Sequence, residues 1–168
     1  LADIIQCGYR SISERIDDQV YCDRVRKMLL DVCVKYPSKD KLYGALGDYL
    51  LPHKRAFFKI ETLKLLSEYF KLQKTQSSQG ADLVISYLMG LLKTESDEEV
   101  IVPLWECFKS MHLTFTNDKY YIYINAIAVL VQEACQNAET EGSYKLPKNI
   151  APLVAIEADT LKNAVGET

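Results

Sequence analysis

Apolar residues recur at three- and four-residue steps along most of the chain. In DDQVYCDRVRKMLLDVCVKYP, residues 17–37, a stripe runs through Val20, Tyr21, Val25, Met28, Leu29, Val32 and Tyr36, and Pro37 ends it. This spacing predicts an amphipathic helix. Upstream, Ile4, Ile5, Ile12 and Ile16 predict one weaker helix or two short ones interrupted near Gly8. Ser38 is placed to cap a short helix carrying Leu42, Ala45, Leu46, Tyr49 and Leu50. Pro52 closes that helix, because the residue before a proline avoids helical geometry. LPHKRAFFKIETLKLLSEYFK, residues 51–71, predicts the next helix, which is aromatic and studded with lysines.

The polar run KTQSSQG, 74–80, predicts a loop, and ADLVISYLMGLLK, 81–93, resumes helical spacing through Val84, Leu88, Leu91 and Leu92. Ser96 with Glu99 three residues later forms a capping-box pattern, with Asp97 and Glu98 against the positive helix end. The helix it opens is expected to run through Trp105, Phe108 and His112, with Pro103 kinking it or marking where its regular part begins. TFTND, 114–118, reads as a turn. In KYYIYINAIAVLVQEACQNA, 119–138, the opening YYIYI has strand character, but helical spacing continues through Ile127, Leu130, Val131 and Ala134, too long for an average strand. A loop over 136–148 and a last helix over 149–165, with a proline in its first turn, complete the chain. The prediction is all-α, with roughly eight helices.

A shift of about 42 residues lays one helix pair over the next. Leu42 falls on Val84, Leu46 on Leu88, Tyr49 on Leu91, Leu50 on Leu92, Phe58 on Val100, Leu63 on Trp105 and Leu66 on Phe108. Periods of about 40 to 47 residues belong to paired-helix solenoids. The run LVISYLMGLLKTESDEEVIVPLWECFKSM, 83–111, resembles a HEAT repeat: an apolar first helix ending in LL, an acidic turn, then D-x-x-V opening a second helix with Leu104, Cys107 and Phe108 at core-like positions. Ile101 stands where that family commonly has arginine, and Pro103 lies deeper in the second helix than the family's usual prolines, so the repeat reads as divergent. The resemblance spans roughly 38–113, with its clearest copies at about 38–74 and 81–113. It implies a HEAT/armadillo-like α-solenoid segment, a right-handed stack of antiparallel helix pairs, serving as a non-enzymatic scaffold for protein–protein interaction or assembly. The alternative is a compact adaptor-like helical bundle that binds a short peptide or a nucleic acid.

Composition agrees with a packed helical domain. Of 168 residues, 48% are hydrophobic and 26% charged, and only 7 glycines and 5 prolines occur, which disfavours disorder and turn-rich β folds. That length suits a single domain over 1–168. Position 1 is Leu, not Met, so the chain is expected to be a fragment of a longer protein. Neither a membrane-spanning apolar run nor a signal peptide is visible. Five cysteines without CxxC spacing fit a reducing compartment, so an intracellular location, cytoplasmic or nuclear, is expected.

Chemistry-bearing motifs are sparse. With only His53 and His112 there is no local metal-ligand spacing, no recognisable Cys–His or Ser–His pairing, and no glycine-rich phosphate loop. No catalytic, cofactor or metal residue is therefore assigned, and no enzyme is expected. LMGLL, 88–92, matches the LxxLL docking pattern, but Leu88, Leu91 and Leu92 are the residues the repeat needs for its core.

The helix over 51–71 carries the partner-binding candidates. Burying Phe58, Thr62, Leu65, Leu66 and Phe70 leaves Phe57, Glu61, Lys64, Glu68 and Lys71 along another stripe. Between His53 and Lys74, six Lys or Arg stand against Glu61 and Glu68, although net charge over the chain is −3. Two readings remain open. The stripe is solvated or faces Glu99 and Glu106 of the neighbouring repeat; or Arg55, Lys59, Lys64 and Lys71, with Phe57 as anchor, bind an acidic peptide or protein. Nucleic acid is the weaker partner, since acids interrupt the strip and the domain is acidic.

Overall fold

The computed structural model describes residues 1–73 and 81–114, together with Gln132 and Gln136. All regular structure in that part is helical: α1 (Ala2–Glu14), α2 (Gln19–Lys35), α3 (Lys39–Gly47), α4 (Ala56–Leu72), α5 (Ala81–Thr94) and α6 (Glu98–Thr114). A 3-10 turn, Asp48–Leu50, extends α3. The two further helices expected over 119–138 and 149–165, and the loops over 74–80 and 136–148, lie outside the described residues, although Gln132 and Gln136 are helical.

Local chemistry explains most of the helix boundaries. Asp18 caps α2 by accepting from the Tyr21 N–H at 3.1 Å, and Ser38 caps α3 by accepting from Lys41 N–H at 3.4 Å. The capping box expected from Ser96 and Glu99 is not what opens α6. Asp97 accepts from Glu99 N–H at 3.0 Å, while the Glu95 carboxylate folds back to accept from the N–H groups of Ser96 and Asp97. α6 then passes through Pro103 without ending. α1 is likewise one helix, not two, and runs straight through Gly8.

At Gly8, α1 comes close to α2. A Cβ at this position would stand 2.7 Å and 2.8 Å from the two methyl carbons of Leu29, a fully buried side chain. Gly8→Ala gains helix propensity of about 1 kcal/mol but overpacks the crossing by about 1–3 kcal/mol, so a net loss is expected. A urea midpoint lowered at constant slope would show it.

One continuous core joins all six helices, from Ile5, Tyr9 and Ile12 in α1 through Leu29, Leu46, Leu66 and Phe70 to Leu88, Leu104 and Phe108. α4 is central: it packs most extensively on α6, and also on α2, while α3 packs on α5 and α1 on α2. The 42-residue shift carries the first residue of α3, Lys39, onto that of α5, Ala81, and Ala56 of α4 onto Glu98 of α6. Leu42 and Val84, Leu46 and Leu88, Leu50 and Leu92, and Leu66 and Phe108 are all buried as aligned. Trp105 departs from that register. Its aligned partner Leu63 is fully buried, whereas Trp105 is only half-buried against the core, because α4 is covered on two flanks.

Candidate functional site

Being covered on several sides changes the reading of α4. Nine of its residues are buried, including the polar Lys59, Glu61, Thr62 and Ser67. Each is satisfied by a neighbouring element, as buried polar groups require. Thr62 Oγ1 and the Tyr9 hydroxyl of α1 are 2.7 Å apart, and Ser67 and Ser110 of α6 share a hydroxyl contact of 2.8 Å. Glu61 accepts two parallel bonds from the Arg26 guanidinium of α2, at 2.8 Å and 3.0 Å. Those bonds hold Arg26 firmly in its charged form, outweighing the opposing effect of burial.

Lys59 was expected on an exposed basic strip and does not lie there. Its side chain is 7% exposed, and Nζ donates to Glu95 Oε2 at 2.8 Å and to the Pro52 carbonyl at 3.0 Å. Five residues separate Lys59 from Lys64, which turns them about 140° apart around the helix. Burial pushes the Glu95 carboxyl upward, but the bond from Lys59, its charge, and the N–H groups of Asp97 and Ser96 more than offset this, leaving Glu95 below its ordinary value. Lys59 thus joins α4 to the α5–α6 turn.

The remaining predicted residues divide into two groups. Arg55 is exposed just before α4, and Phe57 is half-buried with its ring edge-on to Phe58 at 5.4 Å. Lys64 and Lys71 are exposed further along, Lys71 paired with Glu68 at 3.0 Å. Arg55 and Lys71 are separated by about 24 Å of helix rise, so no single contact patch joins all the predicted residues.

Lys64 and Lys71 instead open onto a cleft of about 480 Å³ that crosses α2, α4 and α6, bordered by Arg26, Lys64, Lys71, Val102, Pro103 and Glu106. Beside it, between α2 and α4, lies an apolar pocket of about 200 Å³ walled by Leu29, Leu30 and Leu65, with Lys27 and Lys64 among the charged residues lining it. The charges here are mostly committed: Arg26 to Glu61 and Asp23, and Lys71 to Glu68. Lys27 and Lys64 form no ion pair among the described residues.

Lys27 was missed in the sequence although a signal existed. A shift of 37 residues lays α2 on α4, both 17 residues long, and places Lys27 on Lys64, Val25 on Thr62 and Leu29 on Leu66. The 42-residue register does not reach α2, because the connection before α3 is shorter. Burial pushes the Cys33 thiol up to about 11 and Cys107 higher, so both stay protonated at neutral pH. Among the described residues no group of three or more His, Cys, Asp or Glu side chains could hold a metal ion, and no described helix is long and apolar enough to cross a membrane.

No protein-family model matches the sequence, and neither a curated protein nor a solved structure is significantly similar to it. Any functional reading therefore rests on the residues and geometry above.

Proposed function

We propose that the chain is a non-enzymatic helical-repeat scaffold of HEAT/armadillo-like type that binds an acidic peptide segment of another protein across α2, α4 and α6. Three features support the repeat reading: α2, α4 and α6 are each 17 residues long, the 42-residue register holds at both helix starts, and α4 lies against both α2 and α6 while α3 lies against α5. In this reading the pairs α1–α2, α3–α4 and α5–α6 form a right-handed stack, and α2, α4 and α6 line one of its surfaces.

The observation that carries the binding reading is the apolar pocket between α2 and α4 with two uncommitted lysines beside it. Its size suits one Leu- or Phe-sized side chain, which supplies affinity, while carboxylates flanking that anchor meet Lys27 and Lys64. Lys59 has no part in this surface. Arg55 and Phe57 stand outside the pocket, nearer the start of α4.

Selection from a displayed random-peptide library tests this reading. Enrichment of sequences with Asp or Glu beside one bulky apolar residue is expected, with binding lost in Lys27→Glu/Lys64→Glu at unchanged helicity. Selected peptides that bind the double variant equally well would remove this surface from the reading.

A further inference from the structure

The α2/α4 junction has a counterpart that no described residue covers. On α4, the flank facing α2 presents Glu61 and Leu65, which are 5% and 7% exposed because α2 lies over them. The 37-residue register places Arg24 and Met28 at the same two positions on α2. There no described residue covers them: Arg24 is exposed and Met28 is 50% exposed. With Ile4, Cys7 and Tyr21 they line an open cleft of about 530 Å³ between α1 and α2.

Charge distinguishes the two copies. At the covered junction the flank carries a carboxylate, Glu61, and the covering helix brings the guanidinium of Arg26. At the uncovered flank the sign is inverted, since Arg24 stands where Glu61 would, and it forms no ion pair among the described residues. Asp3, across the cleft in the first turn of α1, faces the positive end of its own helix.

We propose that the outer cleft of α1 and α2 is a second docking site, which takes an amphipathic α-helix of a partner protein whose apolar stripe covers Ile4 and Met28 and whose carboxylate pairs with Arg24. The inference rests on the repeat reading of α2 and α4 and not on the peptide surface between them. It reuses the geometry of an interface the fold already contains, with the two charges exchanged.

The probe is a side-chain-bridged helical peptide of residues 19–35 carrying Arg26→Glu, compared with the unaltered sequence, against the full chain by fluorescence anisotropy. The Glu peptide is expected to bind about tenfold tighter than its Arg parent, and Arg24→Glu in the chain to reverse that order, as for a partly desolvated charge pair. Met28→Glu abolishes both, and since Arg24 and Met28 are exposed these variants keep the parental melting curve. The Lys27→Glu/Lys64→Glu chain retains the peptide, so failure of the peptide surface and failure of this site are told apart. Equal binding of the two peptides, no binding, or an order unchanged by Arg24→Glu overturns the proposal. So does concentration-dependent self-association abolished by Met28→Glu, which would make a second copy the occupant.

Discussion

Lys59→Met is expected to lower stability by about 3–5 kcal/mol, the range for removing one partner of a buried ion pair. The apolar side chain itself fits: the equivalent position on α6 is Ile101, which is buried. The cost arises because the Glu95 carboxylate, 9% exposed, loses the cation that donates to it at 2.8 Å. Lys59→Met/Glu95→Gln removes the carboxylate's charge while leaving an acceptor for the N–H groups of Ser96 and Asp97, so most of the loss is recovered. Urea denaturation of the single and double variants measures both values. If the double variant is no better than the single, the penalty lies in packing of the lysine stem.

The same pair sets a pH dependence. The Glu95 carboxyl sits below its ordinary value of 4.5 in the folded chain. As pH falls through 4.5, the unfolded chain takes up the proton before the folded one. The stabilisation from this group is therefore present above that value and is lost as pH falls through the lower folded value. In Lys59→Met the main offset to burial is gone, so the acid-side decline from this group shrinks and stability falls less steeply as pH drops below 4.5.

Phe108→Ala is the second large effect, expected to cost about 3–5 kcal/mol as a buried aromatic deletion. Phe108 is 1% exposed and belongs to the continuous core, so its removal leaves a cavity that α4 and α6 together must collapse to fill. Trp105→Ala is expected to cost less, about 2 kcal/mol or under, because a half-buried ring returns to water less newly exposed surface. Alignment with the fully buried Leu63 would instead place the larger cost at Trp105. Thermal melts of the two variants decide, and the reverse order of costs would return Trp105 to the core.

Much of this architecture was written in the spacing of residues. Periodicity marked each described helix, Pro37 and Pro52 bounded the short middle segment, and Ser38 was legible as a cap. The 42-residue register located the equivalent starts of α3 and α5 and of α4 and α6. These features depend on neighbours along the chain, which sequence displays directly. Of the residues in the proposed peptide surface, the sequence singled out Lys64 and Lys71 but not Lys27, because α2 aligns with α4 at a shift of 37 and not 42 residues.

Which face of a helix is covered depends on neighbours in space, and here the sequence reading fell short. Lys59 and Glu61 share a helix with exposed Lys64, but only the arrival of Glu95 on one side and Arg26 on another made them interior. Ser96 had the residue type for a cap and lost the role to Asp97 because Glu95, drawn in by Lys59, occupied the preceding N–H groups. Sequence by itself determined the described helices and the 42-residue spacing of their starts, because local spacing and capping act within a few residues. Tertiary structure alone decided which charges are internal and which stay exposed, because desolvation depends on every element packed around a group.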